Sequence, residues 1–317
     1  MKILIVTPAP PGSRKGNRVT AIRWAQILRN LGHSVTIAEN FARQRCDLLV
    51  ALHARRSAPS VAQFTNVSSG TPVILALTGT DLYSDIHTDP TAQLSLEQAD
   101  RLIVLQPLGT AQLPEKFHDR VHVIYQSIRP PPGRFVPRKA VFDISVVGHM
   151  REVKDPFRAA EASHLLPTAS SICVRHTGGA LSADMADRAE KEQAKNTRYR
   201  WLGELPRWQA IREIARSRLH VLTSQMEGGA HVICEAIACN VPVVSSHISG
   251  SVGLLGADYP GYFPVGDTQA LADLMLRCEQ DPNFYRQLKK LCGKRAALVH
   301  PDREQRCWKK LLDELFR

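Results

Sequence analysis

The chain has 317 residues, 44% of them apolar, with 41 Lys and Arg against 30 Asp and Glu and a formal net charge of +11. That is room for two ordinary domains with substantial cores, and it excludes a disordered chain. The charge favours anionic partners such as phosphates and nucleotides; no RNP-like signature, zinc-finger spacing or long Lys/Arg block is present, so nucleic acid is not expected as a partner.

The seven cysteines are scattered and contain no C-x-x-C pair, which argues against a disulfide framework or a zinc site and for reduced thiols in a cytoplasmic protein. The first apolar run, residues 3–7, is too short for a signal peptide and reads as a buried strand. No segment reaches the roughly 18 to 20 apolar residues of a membrane helix, so no stable membrane insertion is expected.

In chain order, short apolar runs at 3–7, 34–39, 47–52, 73–77, 101–105 and 121–125 alternate with amphipathic stretches such as 20–31. This is the pattern of a parallel sheet wrapped by helices. The proline-rich basic segment 127–141 can continue neither a helix nor a central strand, and a domain boundary at 135/136 is placed within it. Runs at 142–148, 172–175, 199–202, 219–223 and 241–245 then repeat the pattern. Two Rossmann-like, doubly wound α/β domains, 1–135 and 136–317, are therefore expected to face each other across a cleft lined by the carboxyl ends of their strands. The amphipathic tail around 300–317 is expected to pack back on the first domain.

The chemistry concentrates in loops that follow strands. The stretch from Ser224 to Ala236 holds Glu227, then Gly228, Gly229, Ala230 and His231, then Glu235. The glycines allow a sharp turn into a helix whose first N–H groups attract phosphate oxygens. Glu235 lies about two helical turns beyond Glu227, so both carboxylates can face one crevice, one for a sugar and one for a ribose. His231 could donate to a phosphate or cap the helix. After the strand at 142–147 come Gly148, His149, Arg151 and Lys154; Arg151 and Lys154 are suited to a diphosphate, whose charge grows as a glycosidic bond breaks. A basic loop before residue 20 carries Gly16 and Asn17, as fit for a phosphate as for solvent. Two further loops hold His53, Arg55 and Arg56, and Thr78, Gly79, Thr80 and Asp81. An arginine pair beside a histidine suits a small tetrahedral oxyanion. No His/Asp/Glu set has metal-ligand geometry, and Asp85-x-His87-x-Asp89 reads equally as hydrogen-bonded structure.

Val147-Gly148 through Lys154, Leu202-Gly203, the Glu227-x7-Glu235 spacing and Val241-Pro242-Val243-Val244 together resemble the C-terminal half of glycosyltransferase family 4, whose members have the GT-B fold. The resemblance implies that Glu235 holds the ribose, Glu227 the donor sugar and Lys154 the diphosphate, with Leu202 on the donor side and no metal or other cofactor required. His149 stands where the family commonly has Arg, and Asn240 where it usually has Gly before Val-Pro. With the runs at 52–57, 77–83, 85–89, 226–231 and 261–267, the chain is similar to one subgroup, the selenosugar synthases of selenoneine biosynthesis. That similarity implies UDP-GlcNAc or UDP-glucose as donor and selenophosphate as acceptor, with a downstream selenoneine-pathway enzyme as the one macromolecular partner. The family's usual histidine after the fourth strand is missing from Thr78–Asp81, which suggests an acceptor that needs no deprotonation. The rivals are a family 4 transferase acting on a hydroxyl of a sugar or lipid, and a non-catalytic nucleotide-sugar or nucleic-acid binding protein.

Overall fold

The computed structural model describes residues 1–317, and the chain forms two compact units. The first comprises Met1–Ser127, Glu227–Gly229 and Pro301–Arg317; the second comprises Ile128–Met226 and Ala230–His300. The main division thus falls at 127/128 rather than 135/136. The proline-rich run goes with the second unit, where the Ile128 N–H already donates to the Val299 carbonyl at 3.0 Å.

In chain order the first unit has β1 (Lys2–Val6), α1 (Gly16–Asn30), β2 (Ser34–Ala38), β3 (Leu48–Leu52), α2 (Ala58–Val67) and β4 (Val73–Leu77). A π-helical turn (Asp81–Asp85) runs into the short α3 (Ile86–Thr88), followed by α4 (Pro90–Gln98), β5 (Arg101–Val104) and β6 (Val121–Val123). The six strands are parallel in the order β2-β1-β3-β4-β5-β6. Strands β3 and β4 read LLVAL and VILAL and are buried at every position, as central parallel strands covered on both faces require.

The second unit has β7 (Phe142–Val147), α5 (Arg158–His164), β8 (Ile172–Thr177), α6 (Ala183–Lys195), β9 (Tyr199–Trp201), α7 (Arg207–Arg216) and β10 (Leu219–Leu222). It continues with α8 (His231–Ala238), β11 (Val243–Ser246), α9 (Ser249–Leu255), β12 (Tyr262–Phe263), α10 (Thr268–Gln280) and α11 (Pro282–Lys294). Its strand order is β12-β11-β10-β7-β8-β9, again parallel. Strand β12 has no counterpart in the sequence reading: two residues between Gly261 and Pro264 make no apolar run, and only their pairing with Ser245 and Ser246 defines it. The last helix, α12 (Pro301–Leu315), belongs to the first unit.

Both sheets contain a reversal of strand order. In the first it lies between β1 and β3, and in the second between β7 and β10. Helices diverge to opposite faces at such a point and open a crevice at the carboxyl ends of the two strands. The loops after β1, β3, β7 and β10 are therefore the ones placed for function.

The first unit's core shows how α12 is held. Trp308, Leu311 and Leu312 pack with Trp24 and Leu28 of α1 on one face of the sheet, the two indoles meeting edge-on with centroids 5.0 Å apart. Beside them Glu304 is 1% exposed. Its carboxylate accepts from Trp24 Nε1 at 2.7 Å, Arg23 Nε at 3.0 Å, and both the Ser127 N–H at 2.8 Å and the Ser127 hydroxyl. A buried carboxylate is tolerated only when paired and hydrogen-bonded in this way.

Candidate functional site

In the second unit, Gly148 starts the loop after β7. Its N–H donates to the Thr177 carbonyl at 2.9 Å, and the Met150 N–H to that of Gly179 at 2.9 Å. The Gly179 N–H donates in turn to His149 Nδ1 at 3.2 Å. Nδ1 is thus an acceptor, and the neutral ring carries its proton on Nε2. The loops after β7 and β8 approach so closely that a Cβ on Gly178 would stand 1.8 Å from the Gly148 carbonyl oxygen. Gly178 escaped sequence reasoning, although paired glycines at a strand end were an available signal. Gly178→Ala is expected to destabilise the protein by about 1–3 kcal/mol, because backbone has to move. The urea midpoint checks this, and an unchanged midpoint contradicts it.

Further along the loop, Glu152–Lys154 form a single turn closed by Asp155 at φ 43°. The Thr223 hydroxyl, just past β10, donates to the carbonyls of Lys154 at 3.0 Å and Asp155 at 2.8 Å. The Gln225 N–H donates to Val153 at 2.9 Å. Loops from the two sides of the reversal point are thus stitched together, with Arg151 exposed and Lys154 half-buried beside them. Leu202 follows β9, its N–H donating to the His176 carbonyl at 2.8 Å.

Helix α8 begins after Ala230 with no side-chain cap and no acidic residue in its first turn. Such a helix start carries partial positive charge. One turn on, Glu235 is 5% exposed. Its Oε1 lies 3.7 Å from His231 Nδ1 and accepts from Arg207 Nη2 at 3.1 Å. Arg207 opens α7 and was not foreseen, since locally it reads only as a helix start. At the other end of α8, Asn240 takes a left-handed φ of 56°, a conformation asparagine tolerates.

Glu227 and Glu235, expected to face one crevice, belong to different units, Glu227 to the first and Glu235 to the second. Within the first unit a Cβ on Gly228 would meet the Thr78 carbonyl at 2.6 Å, and one on Gly229 would meet Leu105 Cβ at 2.5 Å. These glycines allow close backbone approach to the ends of β4 and β5.

Elsewhere in the first unit, α1 starts at Gly16 with neither a side-chain cap nor an acid in its first turn. A Cβ at Gly16 would meet nothing within 4 Å, so packing does not demand glycine there. Asn17 is half-buried. Its neighbour Arg18, which sequence reasoning passed over, has Nε and Nη1 buried with no partner. After β3, His53 is 4% exposed and adopts φ 79°, a left-handed conformation rare outside glycine and costly to hold. Its Nδ1 accepts the Arg56 N–H at 3.3 Å, and its Nε2 lies 3.8 Å from Asp85 Oδ2. Burial pushes its pKa below the usual imidazole range, against the pull of the Asp81 charge. With the Nδ1 lone pair taken by the Arg56 N–H, the neutral ring carries its proton on Nε2.

The arginine pair divides. Arg55 Nε is 3.1 Å from Asp85 Oδ2 and 4.0 Å from Asp89 Oδ2, whereas Arg56 is exposed and forms no ion pair. Of the two arginines expected at an oxyanion, Arg55 thus has acidic neighbours that Arg56 lacks. Asp81, expected among the acceptor residues, is turned to the interior. It is fully buried, and its carboxylate accepts the N–H groups of Ala54 at 3.0 Å, Thr78 at 3.1 Å and Gly79 at 2.8 Å. It ties the loops after β3 and β4 together, with Thr78 and Gly79 half-buried and Thr80 exposed. No three His, Cys, Asp or Glu side chains converge to hold a metal ion, and no helix is long and apolar enough to cross a membrane.

Two doubly wound parallel-sheet units of six strands each constitute the GT-B architecture of nucleotide-sugar transferases. Residues 135–295 match the family model of glycosyl transferases group 1. The chain belongs to that family and is a glycosyltransferase. Among solved structures, sucrose-phosphate synthase of Thermosynechococcus elongatus is 17% identical with a TM-score of 0.80, covering 99% of this chain and 98% of its own. HepE of Anabaena, in complex with UDP and glucose, is 16% identical with a TM-score of 0.75, covering 99% and 100%. A glycosyltransferase of Rickettsia africae is 14% identical with a TM-score of 0.76, covering 100% and 98%. A sequence comparison with curated proteins finds no match.

Proposed function

We propose that the protein transfers the sugar of UDP-GlcNAc or UDP-glucose to selenophosphate, forming the carbon–selenium bond of a selenosugar for selenoneine biosynthesis. On the donor side, Glu235 receives the ribose, and the start of α8, His149 Nε2–H, Arg151 and Lys154 receive the diphosphate. Glu227 receives the sugar. The UDP and UDP-glucose held by HepE, a protein of the same fold, support a uridine donor.

The observation that carries the acceptor assignment is that His53 is buried with its Nδ1 lone pair taken by the Arg56 N–H, so this imidazole is not set up as a base; exposed His87 is the other imidazole on the acceptor side. A nucleophile that arrives ionised needs no base. Selenium attacks the anomeric carbon, the bond from that carbon to the diphosphate oxygen breaks, and UDP leaves with the electron pair. Arg151 and Lys154 stabilise the charge that develops on it. Water then cleaves the P–Se bond, releasing phosphate and the selenol. Arg56, exposed in the segment after β3, and Arg18, half-buried in the segment after the neighbouring strand β1, are the cations assigned to the acceptor.

A sugar or lipid hydroxyl is the second reading, favoured by the Asp85 and Asp89 charges around Arg55. Incubation with UDP-GlcNAc or UDP-glucose and selenophosphate should release UDP and give a product with the selenium isotope pattern in its mass spectrum. Intact UDP-sugar there, with turnover on hydroxyl acceptors, selects the second reading.

A further inference from the structure

We infer that Arg207 is a donor-site positioning residue, which fixes the Glu235 carboxylate so that it can recognise a ribose diol. The inference rests on the reading of the second unit as the nucleotide-sugar site. Arg207 stands in the first turn of α7, after Pro206, with no acidic neighbour and no side-chain cap. A cation there opposes the helix dipole, so the helix gains nothing from it. Its side chain is 46% exposed, so the core does not require it either. What it does have is Glu235, an almost fully buried carboxylate whose Oε1 it meets at 3.1 Å.

A carboxylate oxygen has two lone-pair sites. Oε1 can keep the guanidinium and still accept one hydroxyl, while Oε2 accepts the other. Arg207 donates to Oε1, while His231 Nδ1 stays 3.7 Å from that atom, beyond hydrogen-bond distance, so the guanidinium holds this oxygen before any nucleotide arrives and leaves its second lone pair open. This is preorganisation, which lowers the cost of binding. Without Arg207, a ligand would have to order the carboxylate itself, and binding would weaken at the sugar hydroxyls rather than at the phosphates.

Calorimetric titration of the full chain with UDP and with 2′-deoxy-UDP tests this. Wild type should prefer UDP. Arg207→Ala should bind UDP roughly tenfold more weakly, the loss expected for a charge-assisted hydrogen bond, and should show little preference between the two nucleotides. Arg207→Lys should fall between them, since lysine restores the charge without the planar fork. If Arg207→Ala keeps the wild-type preference, at whatever affinity, the inference is overturned while the donor reading stands. If the wild type binds neither nucleotide, both fall together.

Discussion

Acidification from pH 6.5 to 4 is expected to remove on the order of 3 kcal/mol of stability through each of two histidines of the second unit. His176 on β8 is 1% exposed and His220 on β10 fully buried. Burial lowers both pKa values to about 4. His176 Nδ1 faces the Tyr199 hydroxyl at 3.0 Å and its Nε2 the Gly148 carbonyl at 3.3 Å; His220 Nδ1 meets the Ser145 hydroxyl at 3.1 Å, and its Nε2 has no partner. Above pH 6.5 both rings are neutral in the folded and unfolded chains, and they contribute no pH dependence. Between 6.5 and 4 the unfolded chain takes up protons that the native sheet refuses, so stability falls with pH; below about 4 the effect levels off. A domain has only about 5–15 kcal/mol to lose. Denaturant titrations across this range check the slope. Paired replacement of both histidines by glutamine should flatten it, and a flat wild-type profile contradicts the assignment.

Removing the carboxylate in Glu304→Ala is expected to cost about 3–5 kcal/mol, the usual result of taking one partner from a buried charged pair. Arg23, the Trp24 indole N–H and the Ser127 N–H would all lose their acceptor at once. Glu304→Gln keeps the shape and one acceptor oxygen, so it should cost distinctly less. Urea midpoints of the two variants give the comparison, and equal midpoints for Glu304→Ala and wild type would rule out the clamp.

Legibility in the sequence followed the range of the interaction. Strands β3 and β4 announce themselves because burial on both faces writes an unbroken apolar run. Strand β12 does not, since its two residues are defined by a partner strand. Glu235 is marked as a candidate by spacing and family likeness. Arg207 is not, because its partner lies 28 residues away in another helix. Asp81, expected on the acceptor side, is of a related kind: nothing local announces that three N–H groups of two loops cage it. Glu304 is the extreme case, with a partner 280 residues distant and nothing local to mark it.

The composition of the first unit bears on how the protein is made. Its sheet is synthesised first, yet α12, which supplies Trp308 and Glu304 to its core, is added only after the whole of the second unit. During translation Trp24 therefore emerges without its cover, and the indole and the apolar face around it stay available to solvent or a chaperone. The second unit, drawn almost entirely from one continuous stretch, faces no such delay. In a vectorial synthesis, the half begun first is the half completed last.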